Sequence, residues 1–441
     1  MNLRKLIIED VRCFAGRQEF NIRPLTFLVG ENSTGKSTAL SCFDTLTTFI
    51  RSRPSGLDFN IEPYQMGAFA DIVRRSSPRK KMFQIGFAFR SDEGSMECIL
   101  NCVERAKGSE PVVSEIAFIF ENGEIIYKEV ESLPHPSDSA ILSPDRTDVR
   151  LEKGDDIQRF KVSVIPFSIG IAAFEELAQL QFWMQRRDKN RGTSESSPDE
   201  VQFLELLELV HQAGLSLSGT HSFAPIRSKP RRTYDPLKEA VSAEGSDMPM
   251  LLMNISKTDS ESWQELKYRL VSFGKASGLF GDINVRRLGK STSDPFQLQI
   301  KVNGPKVNLI DVGYGVNQIL PILVRIFNTR QQTTFLMQQP EVHLHPRGQA
   351  ELSSLLIDLI RQRRHNFVIE THSDYMVDRA RIEIMEKRIA PEDVSLVYLE
   401  PAGNSVKVHN IAFDDQANLL GAPSSYRQFF LKESDRLLGF D

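Results

Sequence analysis

The segment Gly30-Glu31-Asn32-Ser33-Thr34-Gly35-Lys36-Ser37 fits GxxxxGK[ST] in full, and no other feature constrains this chain as strongly. An apolar run, Pro24-Leu25-Thr26-Phe27-Leu28-Val29, leads into it. Helix spacing leaves it through Leu40, Phe43, Leu46, Phe49 and Ile50. In this strand-turn-helix context the glycines let the backbone wrap closely. Main-chain N–H groups then point at phosphate oxygens, and the helix N-terminus adds positive potential. Lys36 is placed for the β and γ phosphates, and the Ser37 hydroxyl for Mg²⁺. The expected contacts to a nucleoside triphosphate are Gly30, Asn32, Ser33, Thr34, Gly35, Lys36, Ser37 and Thr38.

Composition excludes several other classes. The 441 residues are 40% hydrophobic and 25% charged, which rules out global disorder and suggests about two or three domain-sized units. The net charge of -4 rules out a polycation, so any nucleic-acid contact must come from local patches. No apolar run reaches the roughly 18 residues a membrane span needs. The opening Met1-Asn2-Leu3-Arg4-Lys5 does not read as a signal peptide, so the expected location is cytoplasmic, with no membrane partner. Four cysteines make no disulfide framework, and Cys98 and Cys102 read as one face of a strand, too far apart to bridge.

The pattern along the chain changes twice. Met82 to Phe89, Met96 to Val103 and Ile116 to Phe120 alternate as strands, and Asn122-Gly123 is a hairpin signal before Glu124 to Tyr127. Residues from about 171 to 215 carry helix spacing around a polar loop at Asn190 to Asp199, and a further helix is expected at Glu261 to Phe273. From Phe296 the chain forms a hairpin turning at Asn303-Gly304. It then alternates: helix near Val316 to Phe327, strand at Phe335 to Met337, helix at Gly348 to Arg361, strand at Phe367 to Glu370. That is the rhythm of a mostly parallel α/β sheet.

A second cluster lies in this distal part. Asp311-Val312-Gly313-Tyr314-Gly315-Val316-Asn317-Gln318 puts two glycines at a helix start, a second N-terminus able to face phosphate. The strand at Phe335 runs into Gln338-Gln339-Pro340-Glu341-Val342-His343-Leu344-His345-Pro346. The later strand ends in Thr371-His372-Ser373-Asp374, a histidine at the carboxyl end where open α/β sheets bind ligands. His343 and His345 lack a third ligand and read as loop-orienting residues.

In this order, the motifs resemble the ABC-type ATPases of the RecF-like and OLD-like group over roughly residues 1–80 and 300–441. Gly30 to Ser37 resembles Walker A, Gly313 to Gln318 the signature, Gln338 to Glu341 Walker B, and His372 the switch histidine. Pro225-Ile226-Arg227 followed by Pro230-Arg231-Arg232-Thr233-Tyr234 further resembles the stand-alone ATPases of antiphage systems such as Septu and PARIS. The resemblance implies an α/β P-loop NTPase head of ABC type with an antiparallel β subdomain and a helical insertion. Its pieces would be 1–165 (Walker A and β subdomain), 166–284 (mainly helical) and 285–441 (signature, Walker B, switch histidine). It implies ATP and Mg²⁺ as cofactors, with ATP held between Walker A of one protomer and Gly313, Gly315 and Asn317 of another in a homodimer or higher oligomer. Ser37 and position 338 would hold the metal, and Glu341, Gln339 and His372 would serve hydrolysis.

One departure from that pattern matters. Positions 338 and 339 usually carry a Mg²⁺-binding acid and a catalytic Glu, and both are Gln here. An amide accepts hydrogen bonds and holds water, but it takes no proton and brings no anionic charge to a metal. Three readings stay open: Glu341 supplies the carboxylate, the chain binds ATP and hydrolyses it slowly, or a Gln was introduced to trap the bound state. The resemblance implies a defence ATPase that senses a phage protein or nucleic-acid trigger and controls a separate effector, a nuclease. The alternative is a RecF-like repair ATPase clamping DNA. Only about 70 residues follow His372, too few for an OLD-type nuclease domain, and Asp414-Asp415 sits in a turn-like stretch. Four basic groups could touch nucleic acid: Arg74-Arg75 with Arg79 to Lys81, Arg186 to Arg191, Arg227 to Arg232, and Arg361 to Arg364.

Overall fold

Alternating apolar and polar residues resolve into strands wherever the computed structural model describes them. It describes residues 1–51, 57–76, 81–92, 94–120, 208–210, 212–236, 241–291, 293–428 and 436, and the backbone alone over 123–128, 147–153 and 156–162. Most of the expected helical stretch 171–215 lies outside these residues, as do Asn122, Arg79, Lys80 and Arg186 to Arg191. The fold is mixed α/β, and the chain divides into two units, each assembled from sequence-distant pieces.

The first unit comprises Met1–Ile22, Ser33–Gly219 and Pro401–Val408. Its antiparallel sheet is built from β1 (Asn2–Glu9), β2 (Arg17–Asn21), β4 (Met82–Ser91), β5 (Gly94–Glu104), β6 (Pro111–Phe120), β7 (Gly123–Lys128), β8 (Thr147–Lys153) and β9 (Asp156–Val162). Their order is β2-β1-β4-β5-β6-β7-β8-β9. Strand alternation puts Cys98 opposite Phe87 and Cys102 opposite Phe83. Both thiols are buried and free, and burial pushes Cys98 up to about 12. They are small core residues. Helix α1 (Lys36–Arg51) packs on this sheet, with the Phe43 ring edge-on to Phe87 at 5.1 Å. The helix that leaves the phosphate loop is thereby anchored on the antiparallel sheet. A single turn, α2 (Phe69–Ile72), follows, and residues 208–210 and 212–216 of this unit are also helical.

The second unit comprises Arg23–Asn32, Thr220–Glu400 and His409–Asp441. Its sheet contains β3 (Leu25–Gly30), β10 (Gly219–Phe223), β14 (Thr333–Gln338), β15 (Asn366–Glu370), β16 (Val394–Ala402), β17 (Ser405–Phe413) and β18 (Leu419–Leu420), ordered β10-β14-β15-β3-β16-β17-β18. The strands β14, β15, β3 and β16 run parallel, as the sequence rhythm predicts. Parallel neighbours need long crossovers. Here these are α6 (Pro346–Arg363) between β14 and β15, and α7 (Asp374–Met385) between β15 and β16. Helix α5 (Tyr314–Asn328) is apolar on nearly every side and correspondingly buried, even though Pro321 denies the Asn317 carbonyl its helical N–H. Two further helices, α3 (Met248–Thr258) and α4 (Ser260–Ser277), pack with it. Asp259 caps α4 by accepting from Glu261 and Ser262 N–H groups, and Gly278 at φ 75° ends it. A separate antiparallel sheet of β11 (Asp282–Arg287), β12 (Phe296–Lys301) and β13 (Val307–Asn308) contains the hairpin at Asn303-Gly304.

Several elements escaped the sequence patterns, α3, β8 and β9 among them, and two more show why. Strand β10 is a five-residue edge strand, too short to show alternation. Strands β16 to β18 form an antiparallel extension in which Asp414 accepts from the N–H groups of Gln416 and Asn418, a turn-forming role. No helix among the described residues is long and apolar enough to cross a membrane.

Candidate nucleotide site

The phosphate loop begins at the carboxyl end of β3 in the second unit and finishes at the start of α1 in the first. Its path needs positive φ at Gly30 (146°), Ser33 (64°) and Gly35 (91°). A Cβ on Gly35 would meet Cys13 Sγ at 2.5 Å and the Phe14 ring at 2.7 Å, so only glycine fits. Lys36 is the first residue of α1, and the Ala39 N–H donates to the Gly35 carbonyl at 2.9 Å, closing the first turn. Thr34, Lys36 and Thr38 are buried, whereas Glu31, Asn32, Ser33 and Ser37 are exposed. Thr38 Oγ1 accepts from the Arg12 guanidinium at 3.5 Å.

The distal motifs gather within the second unit. Gln338 ends β14, in register with Glu370 at the end of β15. Gln339 turns the chain at φ 44°, and its N–H donates to the Glu370 carbonyl at 2.8 Å. Glu341 is buried, and its Oε1 accepts from the His372 main-chain N–H at 2.9 Å. Burial raises the Glu341 carboxyl above the ordinary range, while the His372 N–H and the nearby Arg227 charge hold it down. His372 itself is exposed, so an exposed imidazole rides on a backbone fixed by a buried carboxylate. His345 Nδ1 caps α6 by accepting from the Arg347 N–H at 3.3 Å, and the His343 ring lies edge-on to Tyr314 at 4.7 Å. Among the described residues, no group of three or more His, Cys, Asp or Glu is placed to hold a metal ion.

The glycine-rich start of α5 divides into two behaviours. Gly313 is its N-cap and has open space where a Cβ would stand. At Gly315 a Cβ would lie 2.6 Å from the His343 carbonyl oxygen, so that glycine seats the helix against the loop after β14. Asn317 and Gln318 are buried beneath the helix start.

Arg227 is the residue whose place the sequence did not reveal. It read as part of a surface basic run, yet it is among the largest fully buried side chains, 1% exposed. Its main-chain N–H donates to Gln318 Oε1 at 3.2 Å. Its guanidinium donates to the Gln338 carbonyl at 3.2 Å and the Pro225 carbonyl at 3.3 Å. Burial lowers the guanidinium to about 10, against the raising effect of Glu341, so it stays charged at neutral pH. Arg227 Nε, Gln318 Nε2 and Glu341 Oε2 have no hydrogen-bond partner among the described residues. One buried residue thus joins the start of α5 to the end of β14. Arg232, from the same run, is committed to a bidentate pair with Asp311 at 2.8 and 3.1 Å. Of the run, Lys229 and Arg231 remain as exposed cations without a described side-chain partner.

Residues 221–377 match the AAA ATPase domain family, a stretch that holds Arg227, the α5 start, the end of β14, Glu341 and His372. No curated protein matches the chain. Among solved structures it is similar to an Smc head bound to the C-winged helix domain of ScpA, with 9% identity over 94% of this chain and 98% of that one, TM-score 0.47. It is also similar to an Smc head with an extended coiled coil bound to the C-terminal domain of ScpA from Pyrococcus furiosus (10% identity, 99% of both chains, TM-score 0.44). A third is the SMC head domain from Thermotoga maritima (9% identity, 92% and 98% covered, TM-score 0.39).

Proposed function

We propose that this chain is an ATP-binding, ABC-type ATPase whose nucleotide state governs its own assembly and, through it, a separate effector in antiphage defence. The observation that carries the reading is the GxxxxGKS loop leaving β3, in a parallel sheet where β14 ends at Gln338 and β15 at Glu370, two residues before His372. Ligands of open α/β sheets bind at such carboxyl ends. The defence assignment rests on the sequence resemblance of Pro225 to Tyr234 and Gln338 to Pro346. The effector is a nuclease on another polypeptide, and the trigger a phage protein or nucleic acid.

The residues divide the work. The loop's N–H groups and Lys36 bind the triphosphate, and Ser37 with the Gln338 amide oxygen offers the hard oxygen donors that Mg²⁺ takes. When bound, the ion neutralises charge on the β and γ phosphates. Gln338 and Gln339 bring no anion and accept no proton, so turnover is slow. Glu341 holds the His372 backbone, and the His372 imidazole meets the γ-phosphate or its attacking water.

Phosphate release tests this division. Gln339→Glu is expected to raise turnover, because a carboxylate then stands at the position of the general base. Glu341→Gln is expected to lower residual hydrolysis, because it weakens the hold on the His372 backbone, while ATP binding stays within a few-fold. Unchanged release by both variants, above the Lys36→Ala background, would place the chemistry elsewhere.

A further inference from the structure

Two cations of the run from Arg227 to Arg232 are left unused by the fold, and both line a cleft of about 40 Å³. Lys229 and Arg231 are exposed, and neither side chain has a partner among the described residues. The cleft lies wholly within the second unit. The run forms one wall, the segment from Gly245 to Pro249 the other, and Asn317 and Pro321 of α5 the floor. The Ser228 N–H donates to the Glu244 carbonyl at 3.0 Å, tying the walls together, and the Arg231 N–H donates to the Tyr234 hydroxyl at 3.0 Å. A Cβ on Gly245 would stand 2.4 Å from Pro321, so glycine alone brings this wall against α5. The floor carries a second sign of a ligand. Asn317 is 5% exposed, and its Oδ1 has no hydrogen-bond partner among the described residues. A buried polar atom left unmet costs free energy. With no bond to hold it, the amide can turn either its oxygen or its NH2 toward the cleft. The half-buried Ser246 hydroxyl adds a further donor, and Pro230, Met248 and Pro249 supply apolar wall.

We propose that this cleft takes an acidic side chain presented by a partner protein. A single water needs roughly 10–15 Å³ on this measure, so the space suits the head of one side chain and not a nucleotide. The carboxylate meets Lys229 and Arg231 through charge-assisted hydrogen bonds, and its aliphatic stem lies along the prolines and Met248. The Asn317 amide meets a carboxylate oxygen or the main-chain N–H beside it. The adjoining positions favour protein over nucleic acid. Ile226, two residues before Ser228, is 72% exposed, and Ile310, next to the cleft residue Leu309, is 39% exposed. A peptide covers such apolar groups, and a phosphate backbone does not. Glu244 and Asp235, exposed beside Gly245 and Tyr234, oppose a polyanion laid across the surface. Bound nucleotide is not needed for this contact.

The test is fluorescence anisotropy on the full chain, with melting by circular dichroism as the check on folding. The probe is a fluorescein-labelled hexapeptide of alternating leucine and glutamate, beside its counterpart with glutamine for every glutamate. The parent is expected to bind the glutamate peptide at least about tenfold tighter than the glutamine peptide. Lys229→Gln with Arg231→Gln is expected to abolish that preference. Asn317→Leu, which leaves the net charge alone, is expected to reduce it at least about threefold. Arg286→Gln with Lys290→Gln, two exposed cations outside the cleft, is expected to keep it. Should Asn317→Leu fail to fold, Ser246→Leu takes its place, filling the cleft without a change of charge. A parent that binds both peptides alike overturns the assignment, and binding of inorganic phosphate by that parent in calorimetry would make the cleft a free-anion site instead. Full preference in the folded uncharged variant, or an equal loss in the Arg286 and Lys290 pair, also overturns it, because attraction by surface charge alone then accounts for the binding.

Discussion

Replacing Lys36 with alanine is expected to weaken ATP binding by about 2–5 kcal/mol, roughly thirtyfold to several thousandfold. The residue is 3% exposed and opens α1, directly after the turn made by Ser33 and Gly35. A cation so withdrawn from water pairs with phosphate oxygens at low effective dielectric, and truncation leaves those oxygens without a counter-charge. Calorimetry on Lys36→Ala, beside a melting curve showing retained fold, measures the effect. Unchanged affinity would remove this loop from the nucleotide site.

The second large effect concerns stability. Arg227→Met removes the donors to the Gln338 and Pro225 carbonyls and a positive charge that acts on the buried Glu341 carboxylate. Leaving a buried acceptor without its donor typically costs about 1–3 kcal/mol, and more where the lost donor is charged. Replacing both sides with neutral groups of similar volume is often nearly neutral. Arg227→Met combined with Glu341→Gln is therefore expected to recover the part of the loss that comes from the charge, the two carbonyls staying without their donor. Urea unfolding of the parent, both single variants and the double variant reads this as shifts in midpoint. Additive single losses, with no recovery in the double variant, would show that the two side chains do not interact.

What the sequence made legible was what depends on neighbours along the chain. The loop from Gly30 to Ser37 declares itself because the phosphate-binding turn, the strand before it and the helix after it are contiguous. Strands β4 to β7 and the α5–β14–α6–β15 succession were legible because period two and period 3.6 are local properties. Arg227 was not, because burial of a cation is decided by elements more than 90 residues away, Gln318 and Gln338 among them. Within Pro225-Ile226-Arg227-Ser228-Lys229-Pro230-Arg231-Arg232 it looks like any other surface arginine. Glu370 reads only as the last residue of a strand, and its register with Gln338 and Leu28 shows only in the fold. The two glycines of the α5 start look equivalent in sequence, yet Gly315 is fixed by the His343 carbonyl and Gly313 is not.

That difference selects the variant for the most direct test of nucleotide-controlled assembly. A side chain at Gly315 would collide with the His343 carbonyl and disturb the protein's own loop. Gly313, exposed and with open space around its Cβ direction, takes a carboxylate without internal strain. Light scattering of the parent, Lys36→Ala and Gly313→Glu, each with and without Mg²⁺–ATP, reports the mass in solution. The parent is expected to double its mass with ATP, Lys36→Ala to stay at its nucleotide-free mass, and Gly313→Glu to bind ATP yet not assemble, its carboxylate opposing the partner's γ-phosphate. A parent whose mass is unchanged at saturating ATP, or a Gly313→Glu variant that assembles like the parent, would contradict assembly through the nucleotide and the start of α5.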